Sequence, residues 1–328
     1  MKAVVWNAYG PPEVLSVKDI EKPVPKKDEV LIKIQAASVS AGDCEIRSMR
    51  FPLMLCVMLR LYFGIRKPRE TVLGQEISGE VVELGGDVTS FNIGDKVFGT
   101  TGLKFGGYGE YICIKANRNE GVLLSMPSNM SYEEAACIPV GGLESRHFLS
   151  KSGLKKGEHV LINGAGGSIG SIGIQLAKYL GAEITAVDST EKLELLKQAG
   201  ADHVLDYTKD MIYTNNTYDV IFDIVGKGSF HKCLKSLKST GRYMIANPRV
   251  ALILRAKLTN LLGSKKVFTG TTIQKNDDLQ YLKNLVEAGH IKAFIDKTVD
   301  LEEIVEAHRY VDAGLKKGNL IIKMKHEN

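Results

Sequence analysis

Val160-Leu161-Ile162-Asn163-Gly164-Ala165-Gly166-Gly167-Ser168-Ile169-Gly170 runs from an apolar strand into glycines and out into a helix. Ile169, Ile172, Leu176 and Leu180 recur at helical spacing, and Gly181 ends the helix. Gly164, Gly167 and Gly170 have separate tasks: a tight turn, backbone approach to a pyrophosphate, and close helix–sheet packing. The helix N-terminus adds free N–H groups and a partial positive charge, so the segment is expected to bind a dinucleotide. Eighteen residues past Gly170, directly after a second apolar strand, stands Asp188, where a carboxylate can accept hydrogen bonds from the adenosine ribose. Glycines alone also mark plain turns. Strand, glycines, helix, second strand and acid in this order satisfy the context the fingerprint requires. The candidate cofactor-binding residues are Gly164, Gly166, Gly167, Ser168, Ile169, Gly170, Asp188, Lys192, Tyr207 and Asn247.

Around this segment helices and strands alternate from about Ser131: Ile184-Thr185-Ala186-Val187, Val204-Leu205, Val220-Ile221-Phe222 and Tyr243-Met244-Ile245 are continuous apolar strands between helical stretches. Strands apolar on both faces belong to a parallel sheet covered by helices on both sides. The first third is different. Glu29-Val30-Leu31-Ile32-Lys33-Ile34-Gln35 and Gly79-Glu80-Val81-Val82-Glu83-Leu84 are strand runs set between Gly and Pro turns, which indicates a β-rich domain. After Thr272 come a helix (Leu279 to Ala288), an extended piece, a helix (Leu301 to Ala313) and a last strand, Leu320-Ile321-Ile322. No internal repeat or low-complexity linker is evident.

At 328 residues the chain is long enough for two domains with full cores. Hydrophobic residues at 44% and charged ones at 25% are ordinary soluble usage, which excludes disorder and fibrous architecture. The net charge of +5 is spread along the sequence without a basic block interleaved with aromatics, so no nucleic-acid partner is expected. Cysteines 44, 56, 113, 137 and 233 are odd in number and scattered, and read as reduced thiols. Met1-Lys2-Ala3-Val4-Val5-Trp6 is an apolar strand and not a leader, from which a cytoplasmic location is expected. Phe51 to Ile65 is very apolar, but Arg60 interrupts it and it falls short of the ~18 residues a bilayer span needs. Phe51 to Phe63 is expected to pack as a core helix with Arg60 snorkelling; a lid over the pocket or a contact with a lipid-like substrate is the alternative.

The sequence resembles the quinone oxidoreductase-like, zinc-independent medium-chain dehydrogenase/reductases over essentially its whole length. The likeness rests on Met1-Lys2-Ala3 with Tyr9-Gly10-Pro11-Pro12-Glu13, on Glu29-Val30-Leu31-Ile32 leading to Ala37-Ser38-Val39, and on Gly94-Asp95-Lys96-Val97-Phe98-Gly99. Gly106-Gly107-Tyr108-Gly109-Glu110-Tyr111 and Ile138-Pro139-Val140-Gly141-Gly142-Leu143 continue it in the same order. The resemblance implies an α/β architecture: a GroES-like catalytic domain from residues 1–125 and 272–328, a Rossmann doubly wound parallel sheet from residues 126–271 inserted in it, and an active site in the cleft. It also implies homodimers formed through the Rossmann domains.

The zinc alcohol dehydrogenases of this superfamily place Cys where Ser40 stands and His-Glu where Gln75-Glu76 stand, and only Cys137 falls near a third ligand position. Catalytic zinc needs three protein ligands. The four-cysteine structural lobe is missing too, Cys113 being the only cysteine of its region. No zinc is therefore expected, and Cys137 reads as a small buried residue. Without a Lewis acid, the easier reaction is hydride delivery to a quinone or an activated double bond (enone, alkenal or enoyl thioester), where conjugation spreads the developing charge.

The resemblance makes Ser40 and Asp43, in the loop after Val39, the candidate catalytic residues; a turn hydroxyl and a helix-capping carboxylate are their plain alternatives. It also places Glu144 where a Thr is common, close to the nicotinamide, with Arg146 as a possible partner. NADP(H) is favoured by the likeness and by Lys192, which can meet a 2′-phosphate; Asp188 favours NAD(H). On balance NADH is expected to serve at least as well as NADPH. The expected protein is thus an NAD(P)H-dependent reductase of a small-molecule substrate. A non-catalytic dinucleotide-binding protein with a redox-sensing or structural role is the alternative, and a zinc alcohol dehydrogenase a more distant one.

Overall fold

The computed structural model describes the chain apart from residues 70, 118–120, 227, 248–249, 271 and 327–328 and the side chains of Met54 and Val250. Thr271 and Asn328, which end two of the expected domain segments, thus lie outside the described residues. The first segment holds β1 (Lys2–Trp6), β2 (Leu15–Asp19), β3 (Glu29–Ser38), α1 (Ala41–Ser48), α2 (Leu53–Phe63), β4 (Glu76–Leu84), β5 (Lys96–Thr100), β6 (Tyr111–Lys115), β7 (Val122–Ser125) and α3 (Tyr132–Ala135). Next come α4 (Pro139–Ser152), β8 (His159–Asn163), α5 (Ser168–Tyr179), β9 (Glu183–Asp188), α6 (Leu193–Gln198), β10 (His203–Asp206), β11 (Tyr218–Asp223), α7 (Phe230–Ser236), β12 (Leu237–Ile245), α8 (Val250–Leu262) and β13 (Lys266–Thr269). The chain closes with α9 (Asn276–Glu287), β14 (Ile295–Asp300), α10 (Ile304–Asp312) and β15 (Asn319–Lys323). Two units result: Met1–Pro139 with Gln274–Glu287 and Ile295–Asn328, and Val140–Ile273 with Ala288–Phe294.

The first unit is built on β3. Its apolar residues Val30, Leu31, Ile32, Ile34, Ala36 and Ala37 are all buried, because the strand is covered on both faces. β3 pairs antiparallel with β4 along most of its length, with β6 through its first half and with β15 through its last residues, in a sheet ordered β14-β15-β3-β4-β5-β7. Residues from both ends of the chain therefore share one core, which runs from Val4 and Trp6 to Leu320 and Ile322.

The chain ends are also joined by a buried polar network. Arg47 on α1, 1% exposed, donates from Nε to the Gly10 carbonyl (3.1 Å), from Nη1 to His308 Nδ1 (3.0 Å) and from Nη2 to Asp312 Oδ2 (2.6 Å) on α10. Since a guanidinium only donates, His308 accepts at Nδ1 and carries its proton at Nε2. Burial first, and the Arg47 charge second, hold the His308 pKa down at about 3, so the ring stays neutral.

α2 corrects the expectation of a core-packed helix. Cys56, Leu59 and Phe63 pack on the first unit's core, but Leu53, Val57, Met58, Leu61 and Tyr62 are exposed. Among the described residues no helix is long and apolar enough to cross a membrane.

The second unit is a six-stranded sheet, all parallel, ordered β10-β9-β8-β11-β12-β13. Counted within the unit this is the doubly wound order 3-2-1-4-5-6, which reverses direction between β8 and β11. Val160, Ile184, Val220 and Met244 are completely buried in the four central strands. α4 approaches α5 closely at Gly141, where a Cβ would stand 2.7 Å from the Ser168 carbonyl oxygen. Ser145 fastens the contact, its hydroxyl donating to the carbonyls of Gly141 (2.8 Å) and Ile169 (2.7 Å).

Candidate functional site

In open parallel sheets ligands bind beyond the carboxyl ends of the strands, where the strand order reverses. In the second unit that place is formed by the ends of β8 and β11, and the glycine segment lies there. Gly164 has φ +81°, a conformation that L side chains rarely adopt, and a Cβ on it would strike Val225 at 2.3 Å. At Gly170 a Cβ would meet the Ala165 backbone at 2.3 Å, so the first turn of α5 can lie against the loop only as glycine. Gly167 is different. It is the N-cap of α5, has no side chain to cap the first-turn amides, and a Cβ on it would have no atom within 4 Å. Open space before uncapped helix amides suits the phosphates of a dinucleotide, so the residues present fit the expected cofactor.

Asp188 closes the loop. Its Oδ2 accepts from the Gly166 N–H (2.8 Å), its Oδ1 from the Ser189 N–H (2.9 Å), and Lys192 Nζ stands 3.5 Å from Oδ1. Lys192 is only 14% exposed and lies over Gly166. The peptide N–H of Tyr207 donates to the Asp188 carbonyl (3.2 Å), which sets Tyr207 beside the end of β9 with its side chain exposed. Asn247 follows β12, with its carbonyl close against Gly226. The cofactor candidates Gly164 to Gly170, Asp188, Lys192 and Tyr207 are thus gathered at one end of the sheet.

Asp223, absent from the sequence reading, organises the other side of the reversal point. It is buried at the end of β11 and accepts from Asn163 Nδ2 (2.9 Å), the Gly226 N–H (3.0 Å) and the Tyr243 hydroxyl (2.9 Å). An acid at a strand end beside Val-Gly was a visible signal, but its partners are remote in sequence. Glu144 on α4 accepts from the Thr272 hydroxyl at 2.7 Å, and burial raises its pKa above the usual carboxylate range.

The first unit holds the other candidates. Ser40 is the N-cap of α1: its hydroxyl accepts from the Asp43 N–H (3.1 Å), and Asp43 Oδ2 accepts from the Ser40 N–H (3.0 Å) and hydroxyl (2.7 Å). This reciprocal capping box is the plain alternative that the sequence allowed. Asp43 is nonetheless completely buried, and desolvation raises its pKa. Among the described residues, neither its Oδ1 nor the buried Tyr108 hydroxyl beside it meets a well-aligned hydrogen-bond partner, although each shifts the titration of the other.

Next to them lies Lys316, which the sequence reading missed as one more lysine in a turn. It is 9% exposed, its Nζ donates to the Val39 carbonyl (3.3 Å), and burial lowers its pKa while Glu76, Cys44, Cys137 and Asp43 pull it back. Glu76 also accepts a short hydrogen bond from Ser38. These residues do not fit zinc. Ser40 is committed to Asp43, the Cys137 thiol points to the Glu133 carbonyl (3.3 Å) and is held protonated by burial, and the Lys316 side chain already stands beside Glu76.

Residues 26–128 match the family model described as alcohol dehydrogenase GroES-like domain, and residues 199–322 the one described as zinc-binding dehydrogenase. A 2-methylene-furan-3-one reductase of Solanum lycopersicum is 30% identical, over 98% of this chain and 79% of its own. The chloroplastic NADPH-dependent alkenal/one oxidoreductase of Arabidopsis thaliana is 29% identical over 98% of this chain and 79% of its own. Among solved structures, the quinone oxidoreductase from Coxiella burnetii superposes with a TM-score of 0.87 at 29% identity, covering 99% of each chain. A GroES-like unit, a Rossmann sheet and relatives matched over 98–99% of this chain agree: the chain belongs to the medium-chain dehydrogenase/reductase family, in its zinc-independent, quinone oxidoreductase-like branch.

Proposed function

We propose that this protein is an NAD(P)H-dependent oxidoreductase that transfers hydride, without a metal, to a quinone or an activated double bond of an enone, alkenal or enoyl thioester. The observation that carries the reading is the glycine cradle at the reversal point of the parallel sheet, with Gly167 open before the first turn of α5. Relatives named as alkenal/one and furanone reductases support it over a non-catalytic role.

The bound dihydronicotinamide supplies the hydride. The chain's own part is to hold the pyrophosphate at the amides of Gly167 to Gly170 and the adenosine ribose at Asp188, which fixes the orientation of the reactive ring. A conjugated acceptor spreads the incoming charge, so hydrogen-bond donors suffice where an isolated carbonyl would need a Lewis acid. Ser40 and Asp43 are proposed to line the substrate side, with Lys316 and Glu76 supporting them from within the first unit. A cytoplasmic homodimer acting on a small molecule completes the proposal.

Extensively chelated protein is expected to oxidise NADPH or NADH with an electron-poor alkene or a quinone at the rate of untreated protein. Stoichiometric zinc in the purified protein, with turnover lost on its removal, would overturn this.

Cofactor choice turns on Asp188. A carboxylate facing a 2′-phosphate of charge near −2 across about 5 Å is opposed by several kcal/mol at an effective dielectric of ~20, and the Lys192 ammonium offsets part of that. NADH is therefore expected to bind at least as tightly as NADPH. Because Asp188 also holds the Gly166 amide, Asp188→Asn is the cleaner probe: it keeps an acceptor oxygen and removes the charge. That variant, and Asp188→Ser, should shift the ratio of the two dissociation constants toward NADPH by about tenfold or more. Strong wild-type selectivity for NADPH, unchanged in both variants, would mean that the carboxylate does not face the ribose.

A further inference from the structure

We infer that α2 docks this protein on an anionic lipid surface. Apart from Arg60 in its last turn, the helix is apolar around its circumference. Cys56, Leu59 and Phe63, spaced i, i+3, i+7, pack on the core of the first unit, while Leu53 (83% exposed), Val57, Met58 (59%) and Leu61 (58%), continued by Ile65, form the opposite stripe. Scattered exposed leucines need no explanation, but a contiguous apolar stripe along a whole helix marks a contact surface. At 11 residues α2 is about 16 Å long, too short to span a bilayer and suited to lying in its interface. Tyr62, exposed on the same helix, has the amphipathic ring favoured at that depth.

Charge selects the occupant. Between Glu45 and Glu70 the sequence has no carboxylate side chain. Directly after the helix, Arg66, Lys67 and Arg69 are exposed, form no ion pair among the described residues, and with Asn7, Gly64 and Thr71 wall a cavity of about 430 Å³. An apolar stripe ending in a cationic cavity matches acyl chains beneath a phosphate headgroup. A second copy of this face would bring the same cations together, and a nucleic acid would leave the leucines in water.

The test uses full-length protein and sedimentation with vesicles of phosphatidylcholine alone or mixed equally with phosphatidylglycerol. Wild type should partition at least about tenfold better onto the anionic vesicles. Leu53→Glu/Leu61→Glu should lower that partition about tenfold or more, and Arg66→Glu/Lys67→Glu should reduce it to the phosphatidylcholine value, both with unchanged thermal melting and dinucleotide affinity. Leu258→Glu on α8, another exposed apolar position, serves as the comparison and should leave binding unaltered. Four results would overturn the inference: no vesicle binding by wild type, equal binding to both compositions, loss of binding in Leu258→Glu with Leu53→Glu/Leu61→Glu unaffected, or a wild-type dimer in vesicle-free ultracentrifugation that Leu53→Glu/Leu61→Glu dissociates.

Discussion

Gly167→Val is expected to lower dinucleotide affinity by at least about 100-fold while the protein melts as the parent does. Hydrogen bonds from helix amides to a charged phosphate contribute about 1.5–3 kcal/mol each, so holding two phosphate oxygens away from the first turn of α5 accounts for a loss of that size. The fold should be spared because a Cβ at Gly167 meets no atom within 4 Å, and its φ of −101° is available to valine. Neighbouring glycines give the contrast. At Gly170 the same Cβ would press on the Ala165 backbone at 2.3 Å, and at Gly164 it would also require a positive φ, so substitution there should cost stability as well as binding. Titration with NADPH and NADH, followed by fluorescence alongside thermal melting, separates the cases. Parental affinity in a folded Gly167→Val protein would remove the pyrophosphate from this loop.

Asp312→Ala should destabilise the first unit by about 3 kcal/mol, far more than the loss of a surface ion pair, because it leaves the Arg47 guanidinium buried without its counter-charge. The remaining partners cannot compensate. The Gly10 carbonyl and His308 Nδ1 accept hydrogen bonds from Arg47 but carry no charge, and Arg50, which also pairs with Asp312, adds a second cation to the stranded site. Denaturant unfolding of wild type and variant measures the difference. A change below 1 kcal/mol would show that water or a rearranged carboxylate reaches Arg47 without cost.

The cofactor loop was legible in the sequence because its determinants are local. A strand, a turn that needs positive φ at Gly164, a close approach at Gly170 and a helix with no side-chain cap at Gly167 all lie within one run of residues, and the alternation of apolar strands with helices gave the parallel sheet around it. The Ser40-Asp43 spacing is local too, and its capping box was among the readings the sequence allowed. What escaped were groups whose meaning comes from distant neighbours. Lys316 resembles any turn lysine until burial sets it beside Glu76, Asp43, Cys44 and Cys137. Asp223 is a strand-end acid until Asn163 and Tyr243 converge on it. Composition made α2 apolar, yet it could not say how much of the helix the rest of the chain would cover, and the answer was one side only. Sequence by itself determined the backbone conformations that sterics impose over a few residues, and hence the family, the sheet and the dinucleotide cradle. Tertiary structure alone decided which charges are desolvated and which apolar faces stay in water, because desolvation depends on every atom that packs around a group and not on its neighbours along the chain.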